Sequence, residues 1–277
     1  MTDSAADSPA GAAAPYAADL ALALALADDA DAVSLERYRA ADLDVTLKAD
    51  HTHVTDADQR VERILRSRLA EVRPDDAFYG EETAAAEGVP ADPEHTHRQW
   101  IVDPIDGTAN FLRGVPIWAT LIALVVDGAP VVGVVSAPAL GRRWWGSLGG
   151  GAFASDRDAQ LRVSTVKTLA DASLSYNGLQ YWIDDGRTEQ LLSLAGTVWR
   201  TRAFGDFWPY MLVAEGAVDV TGEPGLAPYD MAALVPIVTE AGGRFSSVDG
   251  EPGIWHGSAL ATNGLLHDAA VAAFARP

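Results

Sequence analysis

Two carboxylates three residues apart, Asp103 and Asp106, close an apolar stretch of strand character that begins at Trp100. Pro104 fixes φ between them, and Gly107 frees the backbone immediately afterwards. Two converging acids and the Ile105 carbonyl form an all-oxygen set of the kind that hard cations such as Mg²⁺ prefer. The amides of Gly107 and Thr108 can face an anion beside such a cation. Metal-assisted chemistry on a phosphate is therefore the reaction type these letters suggest. The plainer reading is an Asx-turn at a strand end, with both acids bonding only local backbone.

Three more acids stand at the edges of elements. Asp58 follows Thr55 by three residues at the head of an apolar-striped segment, a capping-box arrangement whose carboxylate could also hold a water. Glu81 follows Gly80 in a turn after Phe78 and Tyr79, and alone it reads as an exposed loop acid. Asp230 precedes a helical run stopped by Gly242 and Gly243, so an N-cap is its simplest role. His51 and His53 alternate on an extended leader and read as surface residues, not ligands.

The elements that must position these groups follow from periodicity. Residues 1–14, rich in Ala, Ser, Gly, Asp and Pro, predict a disordered tail. Pro15 opens a first helix over 16–39, and a second runs over about 56–72, with Val61, Ile64, Leu65 and Leu69 on one stripe. Residues 84–98 predict a mobile excursion. Apolar segments at 118–126, 131–137 and 142–147, broken by Asp127-Gly128, Pro138 and Gly149-Gly150-Gly151, predict antiparallel strands. A change of organisation near 150–165 divides an α+β part, 15–155, from an α/β part, 156–277. The second part alternates: strand 172–176, helix 187–195, strand 198–203, helix 206–215, strand 217–221, helix 231–241, strands 244–248 and 260–262, helix 265–275.

The 277-residue chain carries 20 basic and 39 acidic residues, a formal charge of −19, which argues against nucleic-acid and anionic-membrane partners. With no cysteine, disulfides and thiolate ligation are excluded. The apolar run 20–27 is too short to span a bilayer and is flanked by Asp19, Asp28 and Asp29. Residues 1–19 hold no Lys or Arg, unlike a secretory leader, so a cytoplasmic location is expected.

Asp103-Pro104-Ile105-Asp106-Gly107-Thr108, after an apolar strand and before Asn110-Phe111, resembles the signature of the inositol-monophosphatase-like, lithium-sensitive phosphatase family. Lys48-Ala49-Asp50 with Val54-Thr55 and Asp58, Gly80-Glu81-Glu82, and Tyr229-Asp230-Met231-Ala232-Ala233 before Gly242-Gly243 resemble its other motifs. The resemblance implies a layered α-β-α-β-α sandwich, an α/β fold, and commonly a homodimer. It implies two or three Mg²⁺ ions held by Glu81, Asp103, the Ile105 carbonyl, Asp106 and Asp230. It also implies a water oriented by Glu81 and Thr108 with Asp58 in support, and phosphate at Asp106, Gly107 and Thr108. Tyr229 stands where the family commonly has Trp, and either aromatic can wall the site.

The segments 110–124 and 133–145, with Gly205-Asp206-Phe207, are similar to the bacterial histidinol-phosphate phosphatase branch. Ala109 departs from the Lys frequent there, at a position expected to lie beyond the ligands. Histidinol phosphate carries an ammonium and an imidazole, so its organic end wants acceptors and negative charge. Asp206 and Glu223 can supply both, with Asp230 beside them, while a plain N-cap is the simpler role for Asp206. Arg202 is a further substrate-site candidate, with a structural ion pair as its simpler role. Alternatives are a phosphatase acting on inositol 1-phosphate or another sugar phosphate, and a non-catalytic acidic cation-binding protein.

Overall fold

In the computed structural model, the described residues are 15–47, 53–87 and 96–276. The expected tail at 1–14, the leader residues Lys48, Ala49, Asp50 and His51, and the middle of the 84–98 excursion lie outside them. The chain opens with α1 (Ala17–Arg37), β1 (Val45–Leu47), β2 (His53–Thr55) and α2 (Asp56–Val72). Then come β3 (Ala77–Gly80), α3 (Glu81–Glu87), β4 (Arg98–Asp106) and α4 (Thr108–Leu112). A meander follows in β5 (Ala119–Val126), β6 (Ala129–Ala137), β7 (Arg142–Ser147) and β8 (Gly151–Ala154). It closes a six-stranded sheet in which β3 and β4 run parallel and the remaining neighbours antiparallel.

The second half contributes β9 (Ser173–Tyr176), α5 (Leu179–Asp184), α6 (Thr188–Thr197), β10 (Arg200–Arg202), α7 (Trp208–Ala214) and β11 (Val220–Pro224). It ends with α8 (Pro228–Met231), α9 (Leu234–Glu240), β12 (Arg244–Ser246), β13 (Ser258–Thr262) and α10 (His267–Phe274). Five of its strands form a mixed sheet in the order β10-β9-β11-β13-β12.

Packing stacks these elements in five layers. The buried faces of α1 and α2, with Leu26, Val61, Leu65 and Leu69, meet Trp100, Val102, Ile122 and Val134 on one side of the six-stranded sheet. Each such side chain contributes about 1.5–3 kcal/mol by leaving water. The other side, with Leu121, Val135 and Trp144, packs on Met211 of α7 and Ile237 of α9. Those two helices also meet the second sheet at Ala259 and Ala261, whose far side is covered by Trp182, Leu191 and Phe274 of α5, α6 and α10. The five-layer α-β-α-β-α sandwich is thus the observed architecture.

Several local expectations change. The glycines at 149–151 do not end the sheet: Gly149, with φ 73°, turns the chain into the hairpin strand β8. Residues 84–87 continue α3, and Arg98 already belongs to β4. The helix expected over 231–241 divides into α8 and α9, because Pro228 starts the first turn early. α9 lies close on the sheet because Gly133 and Gly146 lack side chains. A Cβ on Gly133 would run into the backbone of Ala233, and one on Gly146 would come within 2.9 Å of the Pro236 carbonyl.

Candidate active site

The site forms where β4 ends. In a regular strand, residues three apart face opposite sides. Here the pairing of β4 with β5 shifts between Asp103 and Asp106, a bulge at Pro104, which has no N–H to give the ladder. The Pro104 carbonyl instead accepts the Thr120 hydroxyl at 2.8 Å. The irregularity turns both acids to one side, and carboxylate oxygens of Asp103, Asp106 and Asp230 lie within 4.8 Å of one another. Gly107, with φ 82°, then turns the chain into α4.

Asp230 arrives from the second half of the chain. It is the third residue of α8, not its N-cap, and its carboxylate accepts the Ala227 amide at 2.7 Å. Asp106 is tied to the same half, accepting the Phe207 amide at 2.6 Å. On the other flank, oxygens of Asp58, Glu81 and Glu82 also come within 4.8 Å of one another. Asp58 performs the capping task, accepting the Thr55 amide at 2.8 Å, while its second oxygen lies 3.5 Å from the Thr108 hydroxyl. That hydroxyl donates to the Ile105 carbonyl at 3.0 Å. Cap and site role therefore coexist in one carboxylate.

Burial, then like charges, shapes the electrostatics. Burial, followed by Glu81, Asp106 and Asp230, pushes the Asp103 carboxyl well above the usual carboxylate range. Burial and then Asp206 and Asp230 do the same to Asp106. Asp58 is pushed up to about 6, chiefly by burial. Asp103 Oδ1 is buried and has no hydrogen-bond partner among the described residues. An orphaned carboxylate oxygen beside two other acids is what a divalent cation would satisfy; Asp103, Asp106 and Asp230 form one group that could hold such an ion, and Asp58, Glu81 and Glu82 form another.

Beyond the ligands the acids continue. Asp206 does not cap α7. It adopts φ 55°, and its carboxylate accepts the side-chain NH₂ of Asn110 at 3.0 Å. Burial pushes it up to about 6. Glu223, on β11, is buried with Oε1 unpartnered among the described residues, and burial followed by Asp206, Asp106 and Asp230 raises its carboxyl. Tyr229 stacks on Tyr79 at 6.2 Å between ring centres and walls the acids, whose charges, after burial, raise its phenol. Arg202 is exposed, donates to its neighbour Thr201, and makes no ion pair among the described residues; the pairing expected for it does not form. Ala109 is exposed.

Sequence reasoning missed Glu82, Asn110 and Tyr210. The Tyr210 hydroxyl is buried without a partner among the described residues, and its titration feels Glu223, Asp106, Asp230 and Asp206. Glu82 and Asn110 adjoin recognised motifs, which was the available signal. Tyr210 sits in an aromatic run that gives none.

A family model described as the inositol monophosphatase family matches residues 17–276. A histidinol-phosphatase of Streptomyces coelicolor is 52% identical, covering 91% of this chain and 95% of that protein. One of Mycobacterium tuberculosis is 55% identical, over 90% of this chain and 95% of that one. Among solved structures, an inositol monophosphatase from Zymomonas mobilis superposes with a TM-score of 0.82 at 32% identity, covering 94% and 99% of the two chains. The chain is a phosphatase of the inositol monophosphatase family.

Proposed function

We propose that this phosphatase hydrolyses histidinol phosphate to histidinol and phosphate with Mg²⁺, in histidine biosynthesis, as a cytoplasmic homodimer. The observation that carries the choice of ester is Glu223, a buried acid whose Oε1 has no partner among the described residues, with Asp206 among the charges acting on it. An unpaired buried carboxylate is costly unless a cation meets it, and the ammonium and imidazole of histidinol phosphate supply one. The identity of 52–55% to two histidinol-phosphatases supports the same reading.

Glu81, Asp103, Asp106, Asp230 and the Ile105 carbonyl would hold two or three Mg²⁺ ions. Such ions would neutralise the carboxylates, lower the pKa of water and stabilise the leaving alkoxide. The Thr108 hydroxyl gives its proton to the Ile105 carbonyl, so its oxygen keeps lone pairs to orient the attacking water with Glu81. The Asp58 carboxylate, 3.5 Å from that hydroxyl, is an alternative acceptor for its proton. The Gly107 and Thr108 amides face the ester oxygens. Water forms the new P–O bond as the bond to the alcohol breaks.

The test compares Mg²⁺-dependent phosphate release from histidinol phosphate and from inositol 1-phosphate. A kcat/KM at least tenfold higher for histidinol phosphate is expected. Equal or better turnover of the inositol ester would overturn the assignment in favour of a sugar-phosphate phosphatase. Release from neither ester, with Mg²⁺ still bound, would favour a cation-binding protein.

A further inference from the structure

We propose that Glu62 is a positioning residue, holding Glu81 at the cation site through the backbone of the turn that carries it. The inference rests on the metal-assisted reading above. Glu62 follows Asp58 by one helical turn on α2, so both project from the same side of the helix, and both are buried, at 4% and 0% exposure. α2 is thus a rigid spacer between two carboxylates with different tasks. Asp58 reaches toward the Thr108 hydroxyl; Glu62 reaches the start of α3.

At that start, Glu62 Oε2 accepts the Glu82 amide at 2.7 Å and Oε1 accepts the Thr83 amide at 2.8 Å. The Thr83 hydroxyl also donates to Oε1. These are N–H groups that a helix beginning at Glu81 leaves without a backbone partner, and a bidentate carboxylate fixes them strongly. Gly80 supplies an independent observation, since a Cβ there would run into the Glu62 carboxylate. Gly80 pairs with Val102 across the parallel β3–β4 ladder, so Glu81 enters the site beside Asp103. Glu62, Gly80 and the two amides therefore set where the Glu81 carboxylate meets the Asp103 cluster.

A cap that only stabilised α3 would lower stability and leave cation affinity alone. A positioning cap changes the Mg²⁺ dependence. In the full chain, Glu62→Gln retains size but sets an NH₂ donor against one of the N–H groups. The Mg²⁺ concentration for half-maximal phosphate release should rise about 10–100-fold, the usual cost of disturbing a group behind a metal ligand, with a much smaller change in kcat at saturating Mg²⁺. Calorimetric Mg²⁺ binding should weaken by the same factor, and hydrogen exchange at the Glu82 and Thr83 amides should accelerate in the metal-free protein. Thr83→Val removes only the hydroxyl donor and should weaken binding in the same direction by less. It carries the test alone if Glu62→Gln does not fold.

Unchanged Mg²⁺ affinity in a folded Glu62→Gln protein, or in Thr83→Val where only that variant folds, would overturn the proposal. A wild-type protein that binds no Mg²⁺ would instead overturn the mechanism beneath it, a result the calorimetry separates from the first.

Discussion

The two ends of β4 handle buried charge in opposite ways. At the entering end, Asp76 accepts from the Arg98 guanidinium at 2.9 Å and from the Trp100 indole at 2.9 Å, while Arg98 and Arg73 both pair with Asp19. Burial raises the Asp76 carboxyl, but the hydrogen bonds from Arg98 and Trp100 and the charges of Arg98 and Arg73 outweigh it, leaving the pKa lowered. A few residues along the same strand, Asp103 and Asp106 have acids for neighbours and are raised. Two like charges about 4 Å apart repel by roughly 4 kcal/mol at the effective dielectric near a protein surface. The first arrangement is complete and holds the scaffold together. The second sets like charges against one another, the arrangement expected of a candidate site and not of a staple.

The largest expected break of this contrast is Asp103→Asn. Disturbing a group behind a metal ligand costs about 10–100-fold, so loss of the ligand itself should lower Mg²⁺-dependent phosphate release by more than about 100-fold. The same change removes one repelling charge, so the metal-free protein should gain about 1 kcal/mol in denaturant unfolding. Undiminished turnover would remove Asp103 from the site.

The converse variant, Asp76→Asn, acts on the paired end. It should cost about 1–3 kcal/mol of stability by leaving the Arg98 guanidinium and the Trp100 indole N–H imperfectly met. Its kcat should stay near wild type. A large loss of activity with intact stability would mean that the two ends are not independent.

An effect absent at neutral pH and confined to acid concerns a buried group that belongs to neither end. His267 lies between the Ser246 and Thr262 hydroxyls at 2.9 and 3.2 Å, and burial, with Arg244 nearby, holds its pKa down at about 4. The unfolded chain takes up this proton near pH 6.5. Between pH 6.5 and 4 the unfolded state therefore binds more protons, and the histidine lowers stability progressively as pH falls. Thermal unfolding of wild type and His267→Gln across that window should show a shallower acid decline in the variant. Parallel curves would contradict the assignment.

Much of the scaffold was legible because it depends on neighbours in the chain. The Thr55–Asp58 pair and the buried Val61, Leu65 and Leu69 specify α2, whose observed bounds are those expected, although Ile64, expected on the same stripe, is exposed. Continuous apolar runs broken by Asp127-Gly128 and Pro138 specify β5 to β7. Glu62 was hidden by the same stripe, since an acid beside Val61 on an amphipathic helix reads as solvated until α3 is seen lying against it. Asp206 and Asp230 each looked like an N-cap, the simplest local role for an acid before a helix. Pro228 and the left-handed backbone at Asp206 moved both elsewhere.

Sequence by itself determined the family, the two long opening helices, the β-meander and which acids stand near element ends, because those properties rest on motifs and on contacts a few residues apart. Tertiary structure alone decided which of those acids share a site. The bulge at Pro104 turns Asp103 and Asp106 to one side, and Gly133 and Gly146 let α9 lie close on the first sheet. The Asp106 bond to Phe207 spans 101 residues. Such meetings depend on how layers pack, and packing is fixed only when distant parts of the chain exclude water together.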